Sequence, residues 1–219
     1  MKILCVSDEV DPIVYSPRIK ERFGDVELVI AAGDLPMDYL EFIVSMLNKP
    51  LLFVQGNHDL PLGSNEMPGL RVFGGGSEPG ASGAVDIGFR LVREAGGVIL
   101  GLPGSIRYNG TRNQFTDAEM FFRLSLLLPC LLFNRIFRGR AIDLVVTHAP
   151  PRAINDREDP CHRGFRAYAW LIRRFKPRWF VHGHVHLYDL SEKRICKAGD
   201  TSVINAFGHW IIDTEDGKQ

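Results

Sequence analysis

The stretch LLFVQGNHD (Leu51–Asp59) begins with four apolar residues and ends in a glycine followed by three polar side chains. A short apolar run bounded by turn residues predicts a buried β-strand. Glycine and asparagine predict a turn after that strand. The stretch therefore predicts a strand that presents Asn57, His58 and Asp59 at its carboxyl end.

The same pattern, a short apolar run followed by polar side chains, recurs on both sides of this stretch. The further runs and the residues after them are Ile3–Val6 with Ser7-Asp8, Leu28–Ala32 with Gly33-Asp34, Ile142–Val146 with Thr147-His148, and Arg178–Val181 with His182 to His186. Between the first strands, helices are predicted from Ser16-Pro17 through Phe23 and from Pro36 to Asn48. Strands that alternate with helices predict an α/β domain whose strand ends meet at one edge.

The remaining segments give weaker signals for secondary structure. Pro61 to Arg112 is rich in glycine, and its apolar runs predict small antiparallel strands and turns. These runs are Leu70–Phe73, Phe89–Val92 and Val98–Leu102. Further along the chain, the predictions are a helix from near Ala118 that breaks or bends at Pro129, a helix from Gly164 to Phe175, and short strands between Val203 and Ile212. No repeat or linker divides the chain, so a single domain is predicted over residues 1–219.

The composition is that of a globular domain without net charge. Lys plus Arg and Asp plus Glu both number 26, which argues against an extended nucleic-acid partner. The four cysteines lack the short spacings of a zinc ribbon or a redox motif, so reduced thiols are expected. The N-terminal apolar run is too short for a signal peptide, which predicts a cytoplasmic protein.

The most apolar stretch of the chain is Phe121 to Phe137. Because it contains Arg123, Pro129, Asn134 and Arg135, it falls short of an uncharged membrane span, and no span is predicted. Packing in the core or in a homodimer is favoured over contact with lipid headgroups, since apolar helix surface is usually buried by protein.

The predicted strand ends together carry six candidate metal ligands. They are Asp8, Asp34, Asn57, His148, His184 and His186. Carboxylate, amide and imidazole donors suit two borderline divalent cations better than a thiolate zinc site or an all-oxygen calcium site. A carboxylate on a tight turn can bridge two ions, which makes Asp34 the bridging candidate. His184 and His186 share one side of an extended segment and can reach neighbouring metals.

These residues resemble the motif series of the calcineurin-like metallophosphoesterases, which is Asp-x-His, Gly-Asp, Gly-Asn-His-Asp/Glu, a strand-end His and Gly-His-x-His. The resemblance spans Asp8 to His186 and implies an α/β fold, a β-sandwich flanked by helices in four layers. It also implies two metal sites with one shared ligand. One site would use Asp8, Asp34 and His186, and the other Asp34, Asn57, His148 and His184.

The sequence departs from this series at position 10, where Val10 replaces the histidine of the first motif. Valine has no donor atom, so the first site loses one ligand. Water, Glu9 or Asp11 can fill the position, or a single metal can predominate; the alternative for both acids is a solvated loop. We interpret Val10 as the feature of a subgroup.

Further residues are candidates for catalysis. The same resemblance implies that His58 lies beside the metals without binding them, and in its protonated form it would donate to the leaving-group oxygen. Asp38 or Asp59 would orient its ring, although Asp38 is also explained as a helix first-turn carboxylate. Arg107 is a candidate phosphate contact, with a surface loop arginine as the alternative.

The resulting expectation is an enzyme that hydrolyses a small phosphomonoester or phosphodiester, with nucleotides among the candidates, by means of a metal-activated water. One or two divalent ions are expected, with manganese preferred over iron, zinc or nickel. The alternative is a recognition or scaffold protein with a degraded first metal site, for which Val10 is the sequence support.

Overall fold

Two β-sheets pack face to face, and helices cover the outer face of each sheet. The structure is a computed structural model that describes residues 1–59, 83–189 and 192–214. In chain order its elements are β1 (Lys2–Ser7), α1 (Ile19–Phe23), β2 (Leu28–Ala31), α2 (Met37–Leu47), β3 (Leu51–Phe53), β4 (Ala84–Asp86), β5 (Arg90–Glu94), β6 (Gly97–Leu102), β7 (Ser105–Ile106), β8 (Gln114–Phe115), α3 (Asp117–Arg138), β9 (Leu144–Thr147), α4 (Arg166–Phe175), β10 (Trp179–His182), β11 (Ile195–Ala198), β12 (Thr201–Asn205) and β13 (Gly208–Asp213). This arrangement confirms the predicted four-layer α/β sandwich.

The first sheet has the strand order β13-β1-β2-β3-β4. Strands β1 to β4 are parallel, and β13 joins β1 antiparallel. The second sheet has the order β11-β12-β10-β9-β6-β5, and its four central strands are parallel. A short pair, β7 and β8, follows β6. Parallel strands place their carboxyl ends at a common edge, so each sheet delivers its strand-end residues together.

Three apolar clusters hold the four layers. The central cluster joins the inner faces of the two sheets, for example Ile30 of the first and Val146 of the second. A second cluster packs α1 and α2 on the outer face of the first sheet. The third packs α3 and α4 on the second sheet, with the fully buried Tyr168 and Phe180 among its members. The α/β/β/α order therefore follows from strands that are apolar on both faces.

The structure corrects several sequence predictions. The segment from Pro61 to Arg112 was expected to form antiparallel strands; β5 and β6 do, but β4 joins β3 and β6 joins β9 in parallel. The helix α1 begins at Ile19, later than Ser16-Pro17 suggests. The predicted strand Leu70–Phe73 lies outside the described residues.

The helix α3 runs without interruption through Pro129 and is 22 residues long. In length and composition alone it could cross a membrane. However, Met120, Leu124, Leu127 and Leu131 on its inner face belong to the core of the second sheet. The expectation of core packing is therefore confirmed for this face of the helix, which lies on the domain as one of its layers.

Candidate metal centre

Three of the predicted ligands have left-handed backbone conformations. Asp8 follows β1 with a φ of 65°, Asp34 lies after β2 with 56°, and His184 lies after β10 with 66°. Residues other than glycine rarely adopt this region, and each such residue costs on the order of 1 kcal/mol or more. The turns are thus shaped at a cost in stability, which is a common property of functional sites.

Two motif glycines allow these turns to approach one another. A Cβ atom on Gly183 would overlap the Ser7 hydroxyl and the Asp8 carboxylate, and one on Gly56 would overlap the Asp34 carboxylate. Glycine is therefore required at both positions by close contact across the strand ends. Gly183 belongs to the second sheet and Asp8 to the first, so this contact joins the two sheets.

Four donor atoms from four strand ends converge on one point. The Nε2 atom of His148 lies 3.2 Å from Oδ2 of Asp34, 3.1 Å from Oδ1 of Asn57 and 3.1 Å from Nδ1 of His184. Ligand bonds of about 2.1 Å place neighbouring donors of an octahedral ion about 3 Å apart. The carboxylate, amide and imidazole groups present therefore fit a divalent cation in their chemistry, and the three distances from His148 Nε2 are those of neighbouring ligands.

Backbone carbonyls fix the orientation of both imidazoles. Nδ1 of His148 lies 2.9 Å from the Ala32 oxygen, and Nε2 of His184 lies 2.5 Å from the Cys161 oxygen. Since a carbonyl can only accept, each of these ring nitrogens donates its proton. In the neutral form of each ring, the opposite nitrogen has a lone pair that faces the other donors, which is the usual support for metal-binding histidines.

The protonation states of the three titratable groups in the centre depend on one another. Burial opposes protonation of His148, but the Asp34 charge and its hydrogen bond outweigh burial and raise the pKa of His148 to about 9. For Asp34, burial is outweighed by His148, and the pKa is lowered to about 2. Burial and the charge of His148 lower the pKa of His184 to about 3. The ionised carboxylate and the neutral His184 are the forms that a metal ion requires, whereas His148 must release a proton when a metal binds.

The remaining two predicted ligands lie beside this group. Both carboxylate oxygens of Asp8 lie 3.0 Å from the backbone nitrogen of His184, and Oδ1 lies 3.9 Å from Nε2 of His186. The Nδ1 atom of His186 pairs with the Tyr188 hydroxyl at 2.5 Å. Burial raises the pKa of Asp8. Asp8 therefore lies against the turn that carries His184, and His186 lies beside Asp8.

The acidic residues around Val10 have other surroundings. Oδ2 of Asp11 lies 2.5 Å from Nδ1 of His209, and Oδ1 accepts a hydrogen bond from the Ile13 backbone nitrogen. Glu9 and Val10 are exposed. Asp11 is thus held by its own turn and by β13 and is not solvated as the loop alternative expects, whereas the exposed Glu9 agrees with that alternative.

The predicted catalytic residues lie in different surroundings from one another. The backbone nitrogen of His58 donates to Oδ1 of Asp34, and the residue borders a cleft of about 450 Å³. Asp59 accepts hydrogen bonds from the backbone nitrogens of Asp34 and Gly56, so it holds two strand-end turns together. Asp38 is exposed, and its carboxylate accepts from the Tyr39 nitrogen in the first turn of α2. This contact agrees with the first-turn alternative for Asp38.

Arg107 forms an ion pair with Glu119 at 2.9 Å, and Glu119 also completes the capping box of α3. Its guanidinium therefore has a structural partner, which agrees with the surface alternative. The next residue, Tyr108, was not predicted as a site residue. Its hydroxyl accepts a hydrogen bond of 3.3 Å from Nδ2 of Asn57. No local motif points to Tyr108, because it lies 51 residues from Asn57 in the sequence.

A second group of possible ligands borders the centre. Asp159, Cys161 and His162 place their side-chain donors close together, and the His162 ring lies 5.3 Å from the His184 ring. The carboxylate of Asp159 accepts from the backbone nitrogen of His162, as in an ordinary turn. This loop therefore covers one side of His184, through His162 and through the Cys161 carbonyl.

Two solved structures are similar to this chain at low sequence identity. The crystal structure of TT1561 of Thermus thermophilus is similar at 12% identity, with a TM-score of 0.61 over 99% of this chain and 96% of that chain. A Vps29 single mutant from Entamoeba histolytica matches at 12% identity and a TM-score of 0.41, over 94% of this chain and 73% of that chain. At this identity the likeness to TT1561 shows the fold alone. The search of curated proteins gave no match.

A family model described as calcineurin-like phosphoesterase matches residues 1–188. The matched region contains all six predicted ligands, namely Asp8, Asp34, Asn57, His148, His184 and His186. It covers well over half of the 219 residues. The chain therefore belongs to the calcineurin-like phosphoesterase family.

Proposed function

We propose that this chain hydrolyses a small phosphomonoester or phosphodiester, with nucleotides among the candidates, using one or two divalent cations. The observation that carries the proposal is that Asp34, Asn57 and His184 all lie within hydrogen-bonding distance of Nε2 of His148. The family supports metal-dependent phosphoester hydrolysis in general. Manganese is our preferred metal, ahead of iron, zinc and nickel.

The side chains around the donors have distinct roles in this proposal. Bound divalent ions would supply Lewis acidity and a water activated near neutral pH. Asp34 would serve both metal positions, with Asp8 and His186 completing the first. Tyr108 would orient the Asn57 amide: its hydroxyl accepts from Nδ2, so Oδ1 faces the shared point.

The cleft beside the centre supports a small substrate. Its lining includes Asp34 and His58 together with the apolar Leu35, Met37 and Leu40. The volume of about 450 Å³ suits a small molecule. In this arrangement the phosphoryl group would lie near Asp34 while the remainder of the ester contacts the apolar wall. His58 borders the same cleft and would donate a proton to the leaving-group oxygen.

The alternative is a recognition protein that keeps the fold but not the activity. Two observations favour it: Val10 offers no donor, and Asp11 is paired with His209. Under this alternative Asp34, Asn57, His148 and His184 would bind one structural ion. The side of the centre near Asp8 would hold none.

Hydrolysis of bis-p-nitrophenyl phosphate and p-nitrophenyl phosphate in the presence of manganese tests the proposal. We expect turnover that falls on the order of 100-fold or more in an Asn57→Ala/His148→Ala variant, because two of four ligands are lost. An Asp38→Asn variant serves as a control, since Asp38 is exposed in the first turn of α2, and it should retain most of the turnover. Absence of turnover with every divalent metal would favour the recognition protein, and a Val10→His variant would then test whether the missing donor is the cause.

A further inference from the structure

The outer face of α3 is the most apolar exposed surface of the described residues. Seven of the twelve large apolar side chains that the described residues expose belong to this helix. They are Phe121, Phe122, Leu126, Leu132, Phe133, Ile136 and Phe137. Phe122 is 64% exposed and Ile136 75% exposed, which is far from the usual state of such residues. A concentration of this kind marks an interaction surface.

The spacing of these residues forms one continuous stripe. Phe122, Leu126, Phe133 and Phe137 follow one another at intervals of about four or seven residues, so they lie on one side of the helix. The rings of Phe133 and Phe137 lie 4.3 Å apart. The opposite side of α3 is in the core, so the helix is fixed on the domain with the stripe facing outward.

Basic side chains gather beside one end of the stripe. The Asp117 carboxylate at the start of α3 accepts from the backbone nitrogen of Arg166 at the start of α4, and Arg135 near the end of α3 contacts the Arg174 oxygen near the end of α4. The two helices therefore run parallel and end on the same side. Four exposed arginines lie at these ends, namely Arg135, Arg138, Arg173 and Arg174.

We propose that the outer face of α3 binds the surface of an anionic lipid bilayer. An apolar helix face would enter the boundary between headgroups and acyl chains, and the adjoining arginines would contact anionic headgroups. The positive charge at the end of the stripe selects this occupant, because it complements an anionic surface. The helix would lie along the membrane and not cross it, since its inner face is part of the core. This binding does not depend on the metal centre.

Flotation of the full chain with lipid vesicles tests the proposal. We expect binding to vesicles of phosphatidylcholine with phosphatidylserine, weaker binding to phosphatidylcholine alone, and a decrease with added salt. A Phe133→Ser/Ile136→Ser variant should lose most of the binding. The matched control Ile13→Ser/Ile195→Ser removes two large exposed side chains elsewhere and should bind as the wild type does.

A second pair of variants tests the charges. Arg135→Gln/Arg138→Gln removes both basic residues from the last turn of α3 and should weaken binding to anionic vesicles about 10-fold or more. Lys20→Gln/Arg22→Gln makes the same change in the last turn of α1, on the other side of the molecule, and should have little effect. The Asn57→Ala/His148→Ala variant should still float, which separates lipid binding from catalysis.

Two results would overturn the proposal. One is failure of the wild-type chain to float with anionic vesicles at low salt. The other is a stable dimer, measured by light scattering, that the Phe133→Ser/Ile136→Ser variant converts to a monomer while vesicle binding is unchanged. The second result would assign the stripe to a copy of the same chain.

Discussion

At the scale of single residues, the centre depends on backbone conformations that few side chains tolerate. Asp8, Asp34 and His184 all have positive φ angles, within three residues of the ends of β1, β2 and β10. The glycines Gly56 and Gly183 then leave room for the carboxylates of Asp34 and Asp8. The close packing of these turns, as well as the ligands themselves, is needed for the site.

A Gly183→Ala variant tests this packing. The added methyl group would overlap the Ser7 hydroxyl and displace the Asp8 carboxylate, so we expect hydrolysis to fall about 10-fold or more. Gly97→Ala is the matched control, because its Cβ would find only ordinary contacts, the nearest at 3.7 Å. Equal activity of the two variants would show that the contact between Gly183 and Asp8 is not required.

His182 predicts a loss of stability in acid. Burial lowers its pKa to about 4, while the unfolded chain has a pKa of about 6.5. The unfolded state therefore binds a proton that the folded state resists, and stability decreases as the pH falls from about 6.5 to about 4. As the pH falls from about 7.5 to about 5, this proton uptake should lower the free energy of unfolding by about 2 kcal/mol. The free energy of unfolding in urea should change less with pH in a His182→Gln variant, and equal slopes would contradict this assignment.

At the scale of elements, the start of α3 connects the centre to the helix. Thr116 and Glu119 form a capping box, and Glu119 also binds Arg107, one residue before Tyr108. We expect Thr116→Ala to lower the free energy of unfolding by about 1 kcal/mol, because a backbone donor of the first turn loses its acceptor. Ser125→Ala, a substitution in the middle of the same helix, should change it by less. Urea unfolding of both variants measures the difference, and a larger effect of Ser125→Ala would refute the role of the box.

The elements differ in how well the sequence predicts them. The strands β1, β2, β3, β9 and β10 are short apolar runs that end in polar turns, and all five were predicted. The strand β4 was missed because its three residues, Ala84–Asp86, include one acid and follow a glycine-rich segment. The sequence predicts a break or bend at Pro129, but α3 continues through this residue, with its inner face packed in the core.

The residues of the site also differ in how well the sequence predicts them. Its six candidate ligands could be predicted because each is adjacent to a strong strand signal. Tyr108 and the pair of Asp11 with His209 could not, because they come from contacts across 51 and 198 residues of sequence. Local patterns carry no information on which distant loops meet, so such partners require the folded chain.

At the scale of the whole molecule, the centre lies where the two sheets meet. Asp34 and Asn57 follow strands of the first sheet, and His148 and His184 follow strands of the second. A metal bound to all four would therefore link the sheets directly. Metal binding to the folded state alone would add about 2.7 kcal/mol of stability at a free concentration about one hundred times the dissociation constant.

The most direct measurement is an anomalous diffraction map of crystals grown with manganese. The account predicts a strong peak within bonding distance of Asp34 Oδ2, Asn57 Oδ1, His148 Nε2 and His184 Nδ1, and no such peak in the Asn57→Ala/His148→Ala variant. The account would be contradicted if, at millimolar manganese, the ion were bound only elsewhere on the protein. In that case His148 Nε2 would still contact the other three groups as it does without metal.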